Sequence, residues 1–212
     1  MLTLHYHPLS SYCHKVLVAL YENGTPFTPR LVDLGDPAQA AALRALWPMR
    51  KFPVLEDAAR GQVVAESTPI IEYLDLHYAG HASLVPSHPE MAFEARRWDR
   101  FFDLYVHDPM QKIVGDRLRP EGQQDAFGVA RSRETLATAY GVIEAHIAGK
   151  EWAIGDAFTL ADCAASPALY YANLVQAIEQ PHLLAYCARL QARPSYARTL
   201  EEARPYFHMF PR

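Results

Sequence analysis

The stretch Tyr6-His7-Pro8-Leu9-Ser10-Ser11-Tyr12-Cys13 gathers a phenol, two aliphatic hydroxyls and a thiol where a strand pattern gives way to a helical one. The start of a helix carries partial positive charge, so such groups placed there can hold an anion or a thiolate. Tyr6, Ser10, Ser11 and Cys13 compete for that work. Cys13 reads in two ways. A thiol near a helix N-terminus can have a lowered pKa and form mixed disulfides. It also precedes Val16, Leu17 and Leu20 by three, four and seven residues, on the stripe that faces a core. Further along, Ser67 follows Glu66 at the head of another helical pattern and offers hydroxyl and amide donors to a carboxylate. Glu66 can accept from an ammonium group, and Lys51 presents a point charge. Taken singly, Ser67 is equally an ordinary N-cap, Lys51 a solvated lysine and Pro53 an edge-strand proline. Ten histidines are present, but none form a His-x-x-x-His pair on a helix, so no metal is expected.

The elements that must position these groups follow from periodicity. Leu2–Tyr6 reads as a strand, Ser11–Asn23 as a helix stopped by Asn23-Gly24, and Phe27–Val32 as a second strand. Pro37–Trp47 is an alanine-rich helix. Pro53–Leu55 and Gln62–Ala65 are short strands around a polar turn, and Ser67–Tyr78 is a helix opened by Ser-Thr-Pro. The order βαβ, α, ββα makes the first strand pair parallel with a right-handed crossover and the closing hairpin antiparallel. A mixed four-stranded sheet of thioredoxin-like order is expected over residues 1–79. Glycine, prolines and serines in residues 80–88 mark a linker. Residues 89–212 are helical in pattern: Glu90–Val114, Pro120 to about Ile147, Leu160–Ile178, His182–Gln191 and Pro194–Ala203. Thr159-Leu160-Ala161-Asp162 is a capping box with Asp in the usual Glu place, preceded by Phe158 as a hydrophobic staple; its role is structural.

Composition narrows the function classes. With half of its residues hydrophobic and 21% charged, a chain of 212 residues can bury one large core or two small ones. A net charge of −4 without a basic run gives no attraction to nucleic acid or anionic membrane. No window approaches the roughly 18–20 apolar residues of a membrane span. Three scattered cysteines make neither a disulfide framework nor a zinc site. The first residues lack the charged start and apolar stretch of a signal peptide, so a cytoplasmic location is expected.

Four local features in order resemble the cytosolic glutathione transferases, and the resemblance extends over essentially the whole chain. They are His7–Val16 at the strand-to-helix turn, Lys51-Phe52-Pro53-Val54-Leu55, Glu66-Ser67-Thr68-Pro69-Ile70, and the Thr159–Asp162 box. The turn is similar to the serine-type (phi, theta and zeta-like) classes in a bacterial-style member. The resemblance implies a cis-proline at Pro53 and glutathione as co-substrate. Phe52 would then pair its backbone with the peptide, Ser67 and Glu66 would hold the γ-glutamyl end, and Lys51 the glycyl carboxylate. It places Ser10 in the catalytic position, with Ser11, Tyr6 and Cys13 as alternates. It implies a second-substrate pocket with Tyr105, Phe101 and Met110, and a homodimer. The expected activity is addition of the glutathione thiolate to a small apolar electrophile. Isomerase chemistry, thiol–disulfide exchange or peroxide reduction, and a non-catalytic binding module stand as alternatives.

Overall fold

Alternation in Leu2–Tyr6 puts Leu2 and Leu4 on a buried face, and a strand this apolar needs partners on both edges. The computed structural model, which describes residues 1–211, supplies them. Strand β1 (Leu2–Tyr6) leads into helix α1 (Ser11–Glu22), strand β2 (Thr28–Leu31) and helix α2 (Pro37–Leu46). Strands β3 (Val54–Asp57) and β4 (Gln62–Ala65) and helix α3 (Ser67–His77) follow. The sheet order is β2-β1-β3-β4, with β1 and β2 parallel and the other pairs antiparallel. This is a thioredoxin-like domain with a mixed sheet. Pro29 sits in β2, an edge strand, where its missing N–H costs no ladder bond on the open side. Val54 packs with Val32 and Leu43 of α2, while its neighbour Leu55, also fully buried, points to the opposite face. The stripe Cys13, Val16, Leu17 and Leu20 of α1 is buried as its spacing requires. Each such aliphatic side chain contributes roughly 1.5–3 kcal/mol on burial.

A helical domain follows: α4 (Pro89–Phe102), a π-helical turn (Asp103–His107), α5 (Asp108–Arg117), α6 (Ala126–Ile147), α7 (Leu160–Val175) and α8 (Pro181–Ala192). The uninterrupted helix expected over 90–114 is broken by the π turn. Pro109 is the cause: it lacks an N–H, and its ring clashes with the carbonyl four residues back, at Tyr105, so the turn widens. Helix α7 is buried along nearly all its length, as expected for a helix apolar on every side. In the capping box, the Asp162 carboxylate accepts from the Thr159 amide at 2.9 Å and from the Thr159 hydroxyl at 3.1 Å, while the Asp162 amide bonds the Thr159 carbonyl at 2.9 Å.

Helix α9 (Pro194–Ala203) and a 3₁₀ turn (Arg204–Met209) complete the described chain. Backbone contacts divide the molecule into two compact units, Met1–Val85 with Ser195–Phe207, and Pro86–Pro194 with the residues from His208 onward. The sequence reading assigned the whole of 89–212 to the helical domain. Instead, Tyr196 and Thr199 are buried in the sheet-containing unit, where the Tyr21 hydroxyl donates to Glu202 at 2.6 Å and Arg198 lies over the Tyr21 ring at 3.9 Å. Among the described residues, no helix is long and apolar enough to cross a membrane.

Candidate functional site

Strand register brings the sequence-distant groups together. Val54 pairs with His5 on one side and Ala65 on the other. One step further along each strand stand Tyr6, Pro53 and Glu66, at the same end of the sheet. The Phe52–Pro53 bond is cis. Tyr12, Lys51, Phe52, Pro53, Glu66 and Ser67 line one cleft there. Ser67 is buried as the first residue of α3, so amides of that helix start face the cleft end of the sheet. Glu66 precedes it with φ of +71°, a left-handed backbone that a non-glycine residue adopts only at a cost of about 1–3 kcal/mol. Behind them, the buried Lys15 ammonium donates to Thr68 Oγ1 at 2.8 Å and ties α1 to α3.

Ser10 is the N-cap of α1, half-buried, and its Oγ accepts from the Cys13 amide at 3.3 Å. The same hydroxyl also hydrogen-bonds the Cys13 thiol, so a ligand sulfur would have to draw that proton outward. Ser11, the first helical residue, is buried. Tyr6 is half-buried, and burial first, then Glu202, Tyr206 and Cys13, push its phenol above the ordinary value. It is therefore a protonated donor and a poor base. Cys13 is fully buried, and desolvation pushes its thiol up to about 12 against the hydrogen bonds from Ser10 and the His7 backbone. That is the reverse of what a nucleophilic thiol needs.

The three residues expected to line a second-substrate pocket divide. Phe101 and Tyr105, with ring centroids 5.1 Å apart, line a cleft of the helical unit together with Arg131, Glu134, Thr135 and Thr138. Met110 does not join them: it is 3% exposed, turned inward from the start of α5. Tyr12 is the residue that sequence reasoning passed over. It lies off the Cys13–Val16–Leu17–Leu20 stripe, in the first turn of α1, which directs it away from the core at the end where Ser10 sits.

Two family models cover most of the chain: the N-terminal domain of glutathione S-transferase matches residues 4–82 and its C-terminal domain residues 126–209. Glutathione S-transferase 3 of Zea mays is 31% identical over 91% of this chain and 90% of its own length. The chain belongs to the glutathione transferase family. Among solved structures, a glutathione S-transferase of Methylobacillus flagellatus with glutathione bound is similar at a TM-score of 0.85 and 29% identity, over 94% of this chain and 98% of that one. The chain is also similar to a protein named for another role. FtsZ-localized protein A of Caulobacter vibrioides is 30% identical over 77% of this chain and 74% of its own.

Proposed function

We propose that this glutathione transferase family member conjugates the thiolate of glutathione to a small apolar electrophile in the serine-type manner, with Ser10 holding the sulfur. The observation that carries the reading is the Ser10 hydroxyl at the α1 N-cap, half-buried at the start of the helix, where its oxygen accepts from the Cys13 amide. A free thiol of pKa about 8.5 must gain roughly 2.7 kcal/mol of preference for the thiolate to titrate two units lower. A hydrogen bond to a charged sulfur supplies about 1.5–3 kcal/mol, and a helix N-terminus adds up to about 1 kcal/mol. One hydroxyl at this turn suffices.

The rest of the peptide finds complementary groups in the cleft lined by Tyr12, Lys51, Phe52, Pro53, Glu66 and Ser67, next to the helix whose N-cap is Ser10. The α3 amides and Ser67 suit the γ-glutamyl carboxylate, and Glu66 suits its ammonium. The backbone at Phe52 suits the extended cysteinyl residue, and Lys51 the glycyl carboxylate. The second substrate is a small apolar electrophile by this reading, with Tyr105 and Phe101 as the aromatic candidates for contacting it. Disulfide exchange through Cys13 is disfavoured by the burial of that thiol.

A non-catalytic glutathione-fold module is the second reading, favoured by the resemblance to FtsZ-localized protein A. The deciding assay is conjugation of glutathione to a chlorodinitrobenzene by wild type and by Cys13→Ala. Both should turn over within about threefold of each other, and millimolar glutathione should raise the melting temperature of both. Absence of conjugation together with reduction of a glutathione mixed disulfide that is lost in Cys13→Ala would move the assignment to disulfide exchange, and stabilisation without turnover of either substrate would move it to a binding module. A cytoplasmic homodimer belongs to the same proposal. Light scattering should give twice the 23.9 kDa chain mass, and a monomer mass refutes that part.

A further inference from the structure

His7 makes contacts both with the turn that holds Ser10 and with Phe52 beside the cis-proline. Its Nδ1 accepts from the Leu9 amide at 3.2 Å, and its carbonyl accepts from the Ser10 amide at 3.0 Å, so ring and backbone together fold the turn that presents Ser10. The same ring lies stacked on Phe52, with centroids 6.0 Å apart and planes 20° from parallel. Tyr206 meets it edge-on at 5.7 Å and 73°, which fixes the ring's orientation. One imidazole thus touches the segment that would handle the thiol and the segment that would carry the peptide.

We propose that His7 is a positioning residue that holds these two segments in register, its Nδ1 shaping the Ser10 turn and its ring face seating Phe52. The inference rests on the reading of the cleft as a glutathione site and assigns the two halves of that site to one side chain. Accepting from Leu9 requires a lone pair on Nδ1, hence a neutral ring carrying its proton on Nε2. Burial lowers the His7 pKa against the pull of Asp33, so this form prevails at neutral pH. An amide two residues on, bonded to a side-chain acceptor, is the geometry of an Asx-turn, which asparagine reproduces without an aromatic face. Phenylalanine does the converse, keeping the face and losing the acceptor.

Two variants of the full chain therefore separate the two roles. His7→Asn should keep the ultraviolet-monitored pKa of bound glutathione near the wild-type value. It should weaken binding of S-methylglutathione, which has no titrating thiol, about threefold to tenfold. His7→Phe should bind S-methylglutathione within about twofold of wild type, yet raise the bound thiol pKa by roughly half a unit to one unit and lower kcat to match. Phe52→Leu removes the partner ring without touching His7 and should reproduce the His7→Asn pattern, which covers the case of a histidine variant that does not fold. This crossed pattern supports the proposal. Parallel losses of both properties in both histidine variants, as simple destabilisation would give, overturn it, and so does the absence of any change. Failure of wild type to bind S-methylglutathione at all refutes the glutathione reading itself, and the inference falls with it.

Discussion

Replacing Ser10 by alanine should lower kcat/KM for glutathione conjugation by about 10- to 150-fold and raise the pKa of the bound thiol by roughly one to two units. Both figures come from one source, the loss of a hydrogen bond to a charged sulfur worth about 1.5–3 kcal/mol, at about 1.36 kcal/mol per tenfold or per pKa unit. The sign with pH follows. Below the thiol pKa the thiolate fraction falls tenfold per unit, so the variant should recover ground on wild type as pH rises. Ser10 also caps α1 through the Cys13 amide, and losing a cap costs about 1 kcal/mol of stability. Ser10→Gly separates the two effects, because glycine at an N-cap costs only a few tenths. It should be nearly as stable as wild type and as inactive as the alanine variant. Ser11→Ala and Tyr6→Phe should each change kcat by less than about threefold. The chemical reason is that Ser11 is buried beneath the turn and Tyr6 is engaged where burial, Glu202 and Tyr206 raise its pKa. A larger loss in Tyr6→Phe than in Ser10→Ala would transfer the thiol to the phenol.

How far the chain's order could be read depended on whether a signal was local. Gln62–Ala65 and Pro194–Ala203 occur as read, since alternation, helical spacing and proline starts act within a few residues. The mixed sheet followed from element order alone. Register did not: that Val54 faces both His5 and Ala65, and so gathers Tyr6, Pro53 and Glu66 at one end, depends on turn geometry that composition leaves open. The apolar face of α9 shows in its spacing, but not what it packs against, and so its place with the sheet was missed. The π turn had a signal in Pro109, which spacing of apolar residues alone does not weigh. Lys51, Phe52, Pro53, Glu66 and Ser67 share the cleft through long-range pairing, whereas the contacts of His7 are made in the folded turn and across to Phe52, so its spacing in the sequence carries no sign of them.

The largest stability effect lies far along the chain from this chemistry, at Asp162. Its side chain is fully buried and collects four donors: the Ala153 amide at 2.8 Å, the Tyr186 hydroxyl at 2.6 Å, and the amide and hydroxyl of Thr159. Burial raises the Asp162 pKa, and the four hydrogen bonds oppose that shift by stabilising the carboxylate. Truncation to alanine leaves the donors of Ala153, Thr159 and Tyr186 inside the protein without water to take them. Each unsatisfied group costs about 1–3 kcal/mol, so Asp162→Ala should lose roughly 3–5 kcal/mol, a large share of the 5–15 kcal/mol that holds a domain together. Much of such a variant should be insoluble on expression, and the soluble part should show a clearly lower midpoint in urea. Asp162→Asn keeps the shape and one acceptor oxygen but turns an NH₂ toward donors, which predicts an intermediate loss of about 2 kcal/mol. Tyr186→Phe removes a donor together with its demand for a partner, and should cost about 1.5 kcal/mol, the lower end for a hydrogen bond to a charged group. The ordering Ala, then Asn, then Tyr186→Phe is the signature of a carboxylate that organises the loop from Ala153 to Thr159 and the start of α7. Equal midpoints for Asp162→Ala and Tyr186→Phe would show that the amides find other partners, and that the box contributes no more than a single hydrogen bond.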